Sequence, residues 1–172
     1  MTHKLSSTHG SCTLLTISDS RDEANDASGD LIEQKLLVSG HQLIQRYIVR
    51  DEIDEIEALI LKITIECPTN HFLITTGGSG IGNRDCTPEA FAQFEYTPLE
   101  GFGELFRLYS ERAIGPRAML SRATAGILKK KNKSVPFFIL PGSMHAVTLA
   151  MDDCILPVIG HILDLCQVKE QA

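Results

Sequence analysis

The run His71–Thr76, HFLITT, constrains this chain more than any other feature, because four glycines follow it within six residues: Gly77, Gly78, Gly80 and Gly82. A short, nearly continuous apolar run of this kind fits a strand buried on both faces. Two earlier segments read the same way. Cys12–Ser18 (CTLLTIS) is apolar and rich in Thr, Leu and Ile, and His41–Val49 (HQLIQRYIV) alternates. Between them lie two helical stretches. The first spans about Ser28 to Ser39, with Asp26 or Ser28 as a cap and Gly40 as a stop. The second carries Ile53, Ile56, Leu59, Ile60 and Ile63 at helical spacing, with Asp51 where an N-cap belongs. Strands alternating with helices imply a parallel, doubly wound sheet. The predicted fold is an α/β domain of one unit, residues 11–168, behind a short flexible leader, residues 1–10.

The second half continues the pattern. Gly101–Ile114 places Phe102, Leu105, Phe106 and Tyr109 at helical spacing. Ala123–Leu140 reads as two strands around the basic tip Lys129–Lys133, with Pro136 in a strand-initiating or edge position. A turn and helix follow from Pro141, and a last helix ends near Cys166.

Composition narrows the functional classes. The chain has 172 residues, 43% of them hydrophobic and 22% charged, as expected of a soluble globular domain. No stretch approaches the roughly 20 apolar residues needed to cross a bilayer, and the polar N-terminus lacks a signal-peptide pattern. The net charge of −6 argues against a nucleic-acid partner. Five scattered cysteines form no C-x-x-C pair and the histidines no metal-binding spacing, which points to a reducing, cytoplasmic setting without structural zinc.

The glycines follow a strand of a parallel sheet, where ligands bind. Two familiar phosphate loops fail. A dinucleotide fingerprint through Gly78 and Gly80 meets Asn83 where its third glycine belongs. A P-loop through Gly77 and Gly82 meets Asn83 and Arg84 instead of its Lys and Ser/Thr. Backbone N–H groups of such a loop can still hold an anion. Thr87 and Pro88 suit the start of a helix behind it. A carboxylate at Asp85, beside a phosphate, calls for a cation between them, and Mg²⁺ is the usual one. Arg84 is a candidate for neutralising phosphate charge. Ser143, after Pro141 and Gly142 at a strand end, is placed either to face a phosphate or to cap a helix.

Several blocks in order, LTISDSR…NDASG, IVRDEIDEI, LITTGGSGIGNRDCTPEAF, GFGELFRLYSERAIGPRAMLSRATAGI and ILPGSMHAV, resemble the MoaB/Mog family of molybdenum cofactor biosynthesis proteins, nearer its MoaB branch. The resemblance implies a three-layer α/β/α sandwich that assembles as trimers or hexamers. It also implies a site that binds molybdopterin and adenylylates it with Mg²⁺-ATP, in company with other proteins of cofactor biosynthesis. Carried over by motif, Thr76, Gly77, Gly78, Ser79 and Gly80 hold phosphate. Asp51 and Asp85 are the catalytic acids and Mg²⁺ ligands. Asp26, Ser28, Gly29, Pro141, Gly142 and Ser143 line the same pocket. Departures from the family pattern fall at Ser79, Asn83, Cys86 and Met144–His145. The alternative is a catalytically inactive oligomeric carrier of molybdopterin or nucleotide, which needs the glycine cradle but not both acids.

Overall fold

Strand β1 (Ser11–Ile17) occupies a sheet position that its residues dictate: Cys12 and Leu14 point to one face, Leu15 and Ile17 to the other, and all four are buried. The same period of two recurs in β3 (His71–Thr76) and β6 (Lys133–Leu140). Phe72, Ile74, Phe138 and Leu140 share a face with Cys12, while Leu73, Phe137 and Ile139 share the other with Leu15. A sheet apolar on both faces must be covered on both, which makes three layers. The computed structural model of the chain describes residues 7–130 and 133–167.

The six-stranded sheet has the order β2-β1-β3-β6-β5-β4, where β2 is Gln42–Val49, β4 Tyr96–Pro98 and β5 Thr124–Lys130. Strands β2, β1, β3 and β6 are parallel, and β5 and β4 run antiparallel to their neighbours. Helices α1 (Ala27–Val38), α4 (Glu100–Ile114), α5 (Met144–Leu149) and α6 (Ile159–Gln167) cover the Cys12 face. Helices α2 (Ile53–Glu66) and α3 (Thr87–Phe91) cover the other. Among the described residues no single helix is long and apolar enough to cross a membrane.

Local chemistry explains the element ends. Asp26 caps α1 by accepting from Gly29 N, and Gly40, at φ +79°, ends it. The N–H groups of Gly40 and His41 donate to the carbonyls of Leu37 and Leu36, a Schellman closure.

Several details differ from the sequence-based expectations. Asp51 does not cap α2: Glu52 takes that position without a side-chain bond. Thr87 is not a cap but the first residue of α3, with Cys86 before it. Pro136 neither starts a strand nor lies in an edge strand. It is the fourth residue of β6, between β3 and β5, and is tolerated because the pairing with β3 begins only at Phe137. Strand β4 and the 3₁₀ turn Gly115–Leu120 have no counterpart in the expectations, and the helix expected after Pro141 closes in a π-helical turn, Ala150–Ile155. Of the leader, His9 and Gly10 pack against His41, and residues 1–6 lie outside the described residues. The tip of the β5–β6 hairpin, Lys131 and Asn132, lies outside them too, as does residue 168 at the expected end of the domain.

Candidate functional site

The parallel strands end in line, with Thr16 beside Thr76, Ile17 beside Val49 and Thr76 beside Leu140. Their carboxyl ends therefore deliver four loops to one edge: residues 18–26, 50–52, 77–86 and 141–143. Every sequence-derived site residue sits on one of these loops, at the end of β3, or on the first turn of α1.

The glycine loop starts with two left-handed residues, Gly77 at φ +100° and Gly78 at φ +60°. No other residue suits either position. A Cβ on Gly77 would meet Ile17 O at 2.1 Å, and one on Gly78 would meet Thr87 Oγ1 at 2.3 Å and Asp51 Oδ1 at 2.6 Å. The four carbonyls 77–80 are all taken. Thr87 Oγ1 donates to Gly77 O (3.0 Å), Thr87 N to Gly78 O (3.0 Å), Arg122 N to Ser79 O (3.2 Å) and Arg122 Nε to Gly80 O (2.7 Å). The N–H groups of Gly78, Ser79, Gly80 and Ile81 have no partner among the described residues. The Ser79 hydroxyl, on a residue only 2% exposed, has none either.

Asp51 stands directly against this loop. Its Oδ1 is buried and unpartnered. Burial first, then the Asp19 and Asp85 carboxylates, hold its pKa above the ordinary range. Asp85 turns back into its own loop, with Oδ2 accepting Gly82 N at 2.7 Å. An open cleft of about 580 Å³ adjoins Asp51, lined among others by Asn83, Arg84 and Cys86. Arg84 does not point a free charge at the site: it donates to Asp19 and to Glu52, all at 3.0–3.1 Å, and so latches the β1 loop to the glycine loop.

On the β6 side the assigned residues are held more tightly. Asp26 is fully buried, and both its oxygens are used, by Thr16 (2.5 Å), Arg46 (2.8 Å), Ser28 (3.1 Å) and Gly29 N (3.1 Å). Burial alone would raise its pKa; the bonds from Thr16, Arg46 and Gly29 bring it below the usual carboxylate range instead. Asp26 thus anchors the loop. Gly29 is obligatory there, since a Cβ would lie 2.2 Å from Asp26 Oδ2. Thr76 Oγ1 donates to Pro141 O (3.2 Å) and ties the ends of β3 and β6 together. Ser143 Oγ caps α5 by accepting Ala146 N at 3.3 Å. Arg21 bridges the two halves of this wall, donating to Ser28 Oγ and, at 2.8 Å, to Gly142 O. The sequence reading assigned no role to Arg21, Asp19 or Arg122. Only the block SRATAG contained a signal for Arg122.

The sequence family described as "Probable molybdopterin binding domain" matches residues 13–161. The chain belongs to this family. Among curated relatives, molybdenum cofactor biosynthesis protein B of Bacillus anthracis is 41% identical over 152 residues, covering 88% of this chain and 87% of the relative. Its Bacillus subtilis counterpart is 38% identical over 153 residues, with the same coverage. Solved structures agree. A molybdenum cofactor biosynthesis protein B superposes with a TM-score of 0.84 at 38% identity, covering 94% of this chain and 98% of that one. The tungsten cofactor synthesizing protein MoaB from Pyrococcus furiosus gives 0.81 at 32% identity and the same coverage. The MoaB-like α/β fold expected from the sequence is therefore the fold of this chain.

Proposed function

We propose that this chain works in molybdenum cofactor biosynthesis as a molybdopterin adenylyltransferase. It would bind molybdopterin and ATP at the carboxyl edge of the sheet and join AMP to the pterin phosphate. The observation that carries the reading is the buried, unpartnered Asp51 Oδ1 beside Gly78, the first of four consecutive residues, 78–81, whose N–H groups have no partner among the described residues. Anion donors and an orphaned carboxylate side by side suit a phosphate with a cation between. Family membership and relatives named for cofactor biosynthesis support the pathway.

The residues fit Mg²⁺. Among the described residues no group of three or more His, Cys, Asp or Glu gathers into a metal site of its own. Magnesium ordinarily takes one or two carboxylates and completes its shell with substrate phosphates and water. Asp51 and Asp85 would supply the two. Bound there, Mg²⁺ would neutralise phosphate charge and orient the polyphosphate.

The remaining work belongs to the chain. In the transfer, an oxygen of the pterin phosphate attacks the α-phosphorus of ATP, forming a new P–O bond while the bond to pyrophosphate breaks. No protein nucleophile is required, so catalysis rests on positioning and on donors aimed at developing charge. The N–H groups 78–81 and the Ser79 hydroxyl would hold phosphate oxygens. The wall formed by Ser28, Gly29, Pro141 and Gly142, stiffened by Arg21 and Asp26, would bound the pterin side.

We further propose a homo-oligomer, trimeric or hexameric. In the segment 101–123, Phe102 and Phe106 are buried in the core, but Met119 is 76% exposed, with Leu105, Leu108, Ile114 and Leu120 exposed nearby in sequence. Such apolar surface suits an interface. Light scattering that finds a clean monomer of 18.9 kDa removes this part.

The test of activity is incubation of the purified chain with molybdopterin, ATP and Mg²⁺, followed by detection of adenylylated pterin and pyrophosphate. Formation of both supports the reading. Tight binding of molybdopterin without turnover favours the inactive carrier instead.

A further inference from the structure

We propose that Arg122 is the positioning residue of the phosphate cradle. From outside the loop, it sets the peptide planes whose N–H groups receive the anion. This rests on the reading of residues 77–81 as a phosphate cradle and assigns the agent that shapes it.

In a planar trans peptide the N–H of one residue points opposite to the carbonyl of the residue before it, and no cis bond occurs among the described residues. Fixing the carbonyls of 77–80 therefore fixes the N–H directions of 78–81. Two residues do all of this. Thr87 holds the first two carbonyls through Oγ1 and N, and Arg122 holds the second two through N and Nε. The N–H groups of Gly80 and Ile81 thus face away from Arg122. Its Nη2 also donates to Asp85 O at 3.1 Å, so one guanidinium spans both limbs of the loop and turns the N–H of Cys86 the same way.

The guanidinium is itself held. Its Nη1 pairs with Glu89 of α3. A rigid planar fork reaches Gly80 O, Asp85 O and Glu89 at once, which the single ammonium of lysine does not. Without the guanidinium nothing else among the described residues binds the carbonyl of Gly80, while Ser79 O keeps its main-chain bond. The Gly80–Ile81 peptide, with Gly80 and Gly82 on either side, would then be free to rotate. Preorganised donors lose their advantage when they must reorient during binding.

The test uses inorganic pyrophosphate, with Mg²⁺, as probe on the full chain. Arg122→Met keeps the apolar stem and the main-chain bond to Ser79 O, and removes the guanidinium donors to Gly80 O and Asp85 O. For the parent protein, titration should shift the amide ¹H–¹⁵N signals of Gly80 and Ile81. Arg122→Met should retain a cooperative melt yet bind pyrophosphate at least about tenfold more weakly, the scale of a lost charge-assisted hydrogen bond. Its Ile81 signal should broaden and no longer respond, while Gly80, whose peptide the Arg122 main-chain N–H still holds, should keep its response. Ethylguanidinium added to Arg122→Ala should recover part of the affinity, a rescue that a purely structural loss does not show. If Arg122→Met fails to fold, Glu89→Ala, which removes the acceptor and frees the guanidinium from α3, should weaken pyrophosphate binding about threefold. Pyrophosphate affinity within twofold of the parent in whichever folded variant is measured overturns the clamp. Failure of the parent protein to bind pyrophosphate overturns the phosphate reading itself, and the clamp with it.

Discussion

Gly78 and Asp51 are in contact by design of the backbone: a Cβ on the glycine would stand 2.6 Å from Asp51 Oδ1. The loop can turn at φ +60° against the acid only because no side chain intervenes. Gly78→Ala combines a left-handed alanine, at about 1–2 kcal/mol, with clashes on Asp51 and Thr87. We expect a lower melting temperature, read by calorimetry, and loss of adenylyl transfer beyond what the lower stability explains.

Asp51 and Asp85 should separate stability from activity. Burial, then the Asp19 and Asp85 carboxylates, raise the pKa of Asp51. A carboxyl with a raised folded-state pKa weakens the metal-free fold as pH rises through the unfolded value. Asp51→Asn should therefore melt higher than the parent at pH 7 without Mg²⁺, while transfer falls by about two orders of magnitude. Asp85→Asn should keep the Gly82 turn, since its amide oxygen still accepts, and lose activity on the same scale. Parent-like turnover in either variant removes that acid from the mechanism.

Ser143 was placed by sequence either on a phosphate or on a helix start, and its bond to Ala146 N marks it as a cap. Ser143→Ala should cost about 1 kcal/mol, a drop in Tm of roughly 2–4 °C for a chain of this size. Molybdopterin affinity measured by titration should stay near that of the parent. A large loss of affinity at unchanged Tm would return Ser143 to the site.

His71 gives the fold an acid limit far from the site. It is 2% exposed, and burial first, then the charge of Lys133, pushes its pKa down to about 4 from an ordinary 6.5. The unfolded chain takes the proton near 6.5 and the folded chain only near 4, so stability present above pH 6.5 is lost progressively down to pH 4. The full effect is on the order of 3 kcal/mol. Urea unfolding at pH 7 and pH 4.5 should show it, and His71→Asn should shrink the difference between the two.

The sequence by itself determined the layers. Apolar residues at period two in β1, β3 and β6 leave no exposed face, and the helical stripes between them have nothing else to bury against. It also determined where a ligand could sit, because Gly77, Gly78 and Gly80 follow a strand whose direction the β-α-β order fixes. What it could not determine was which polar groups remain free. Asp51 reads as an N-cap from its neighbours alone; only the placement of α2 one residue later, with Gly78 packed beside it, leaves Oδ1 without a partner. Asp26 and Ser143 read in the sequence both as caps and as pocket residues, and only the fold shows which bonds their side chains make, Asp26 with Thr16 and Ser143 with Ala146 N. Arg122 stands 42 residues from the carbonyl it binds, Gly80 O. Periodicity and capping rules act over a few residues. Whether a charge is satisfied depends on what other parts of the chain bring to it, and that is decided only when the sheet has closed.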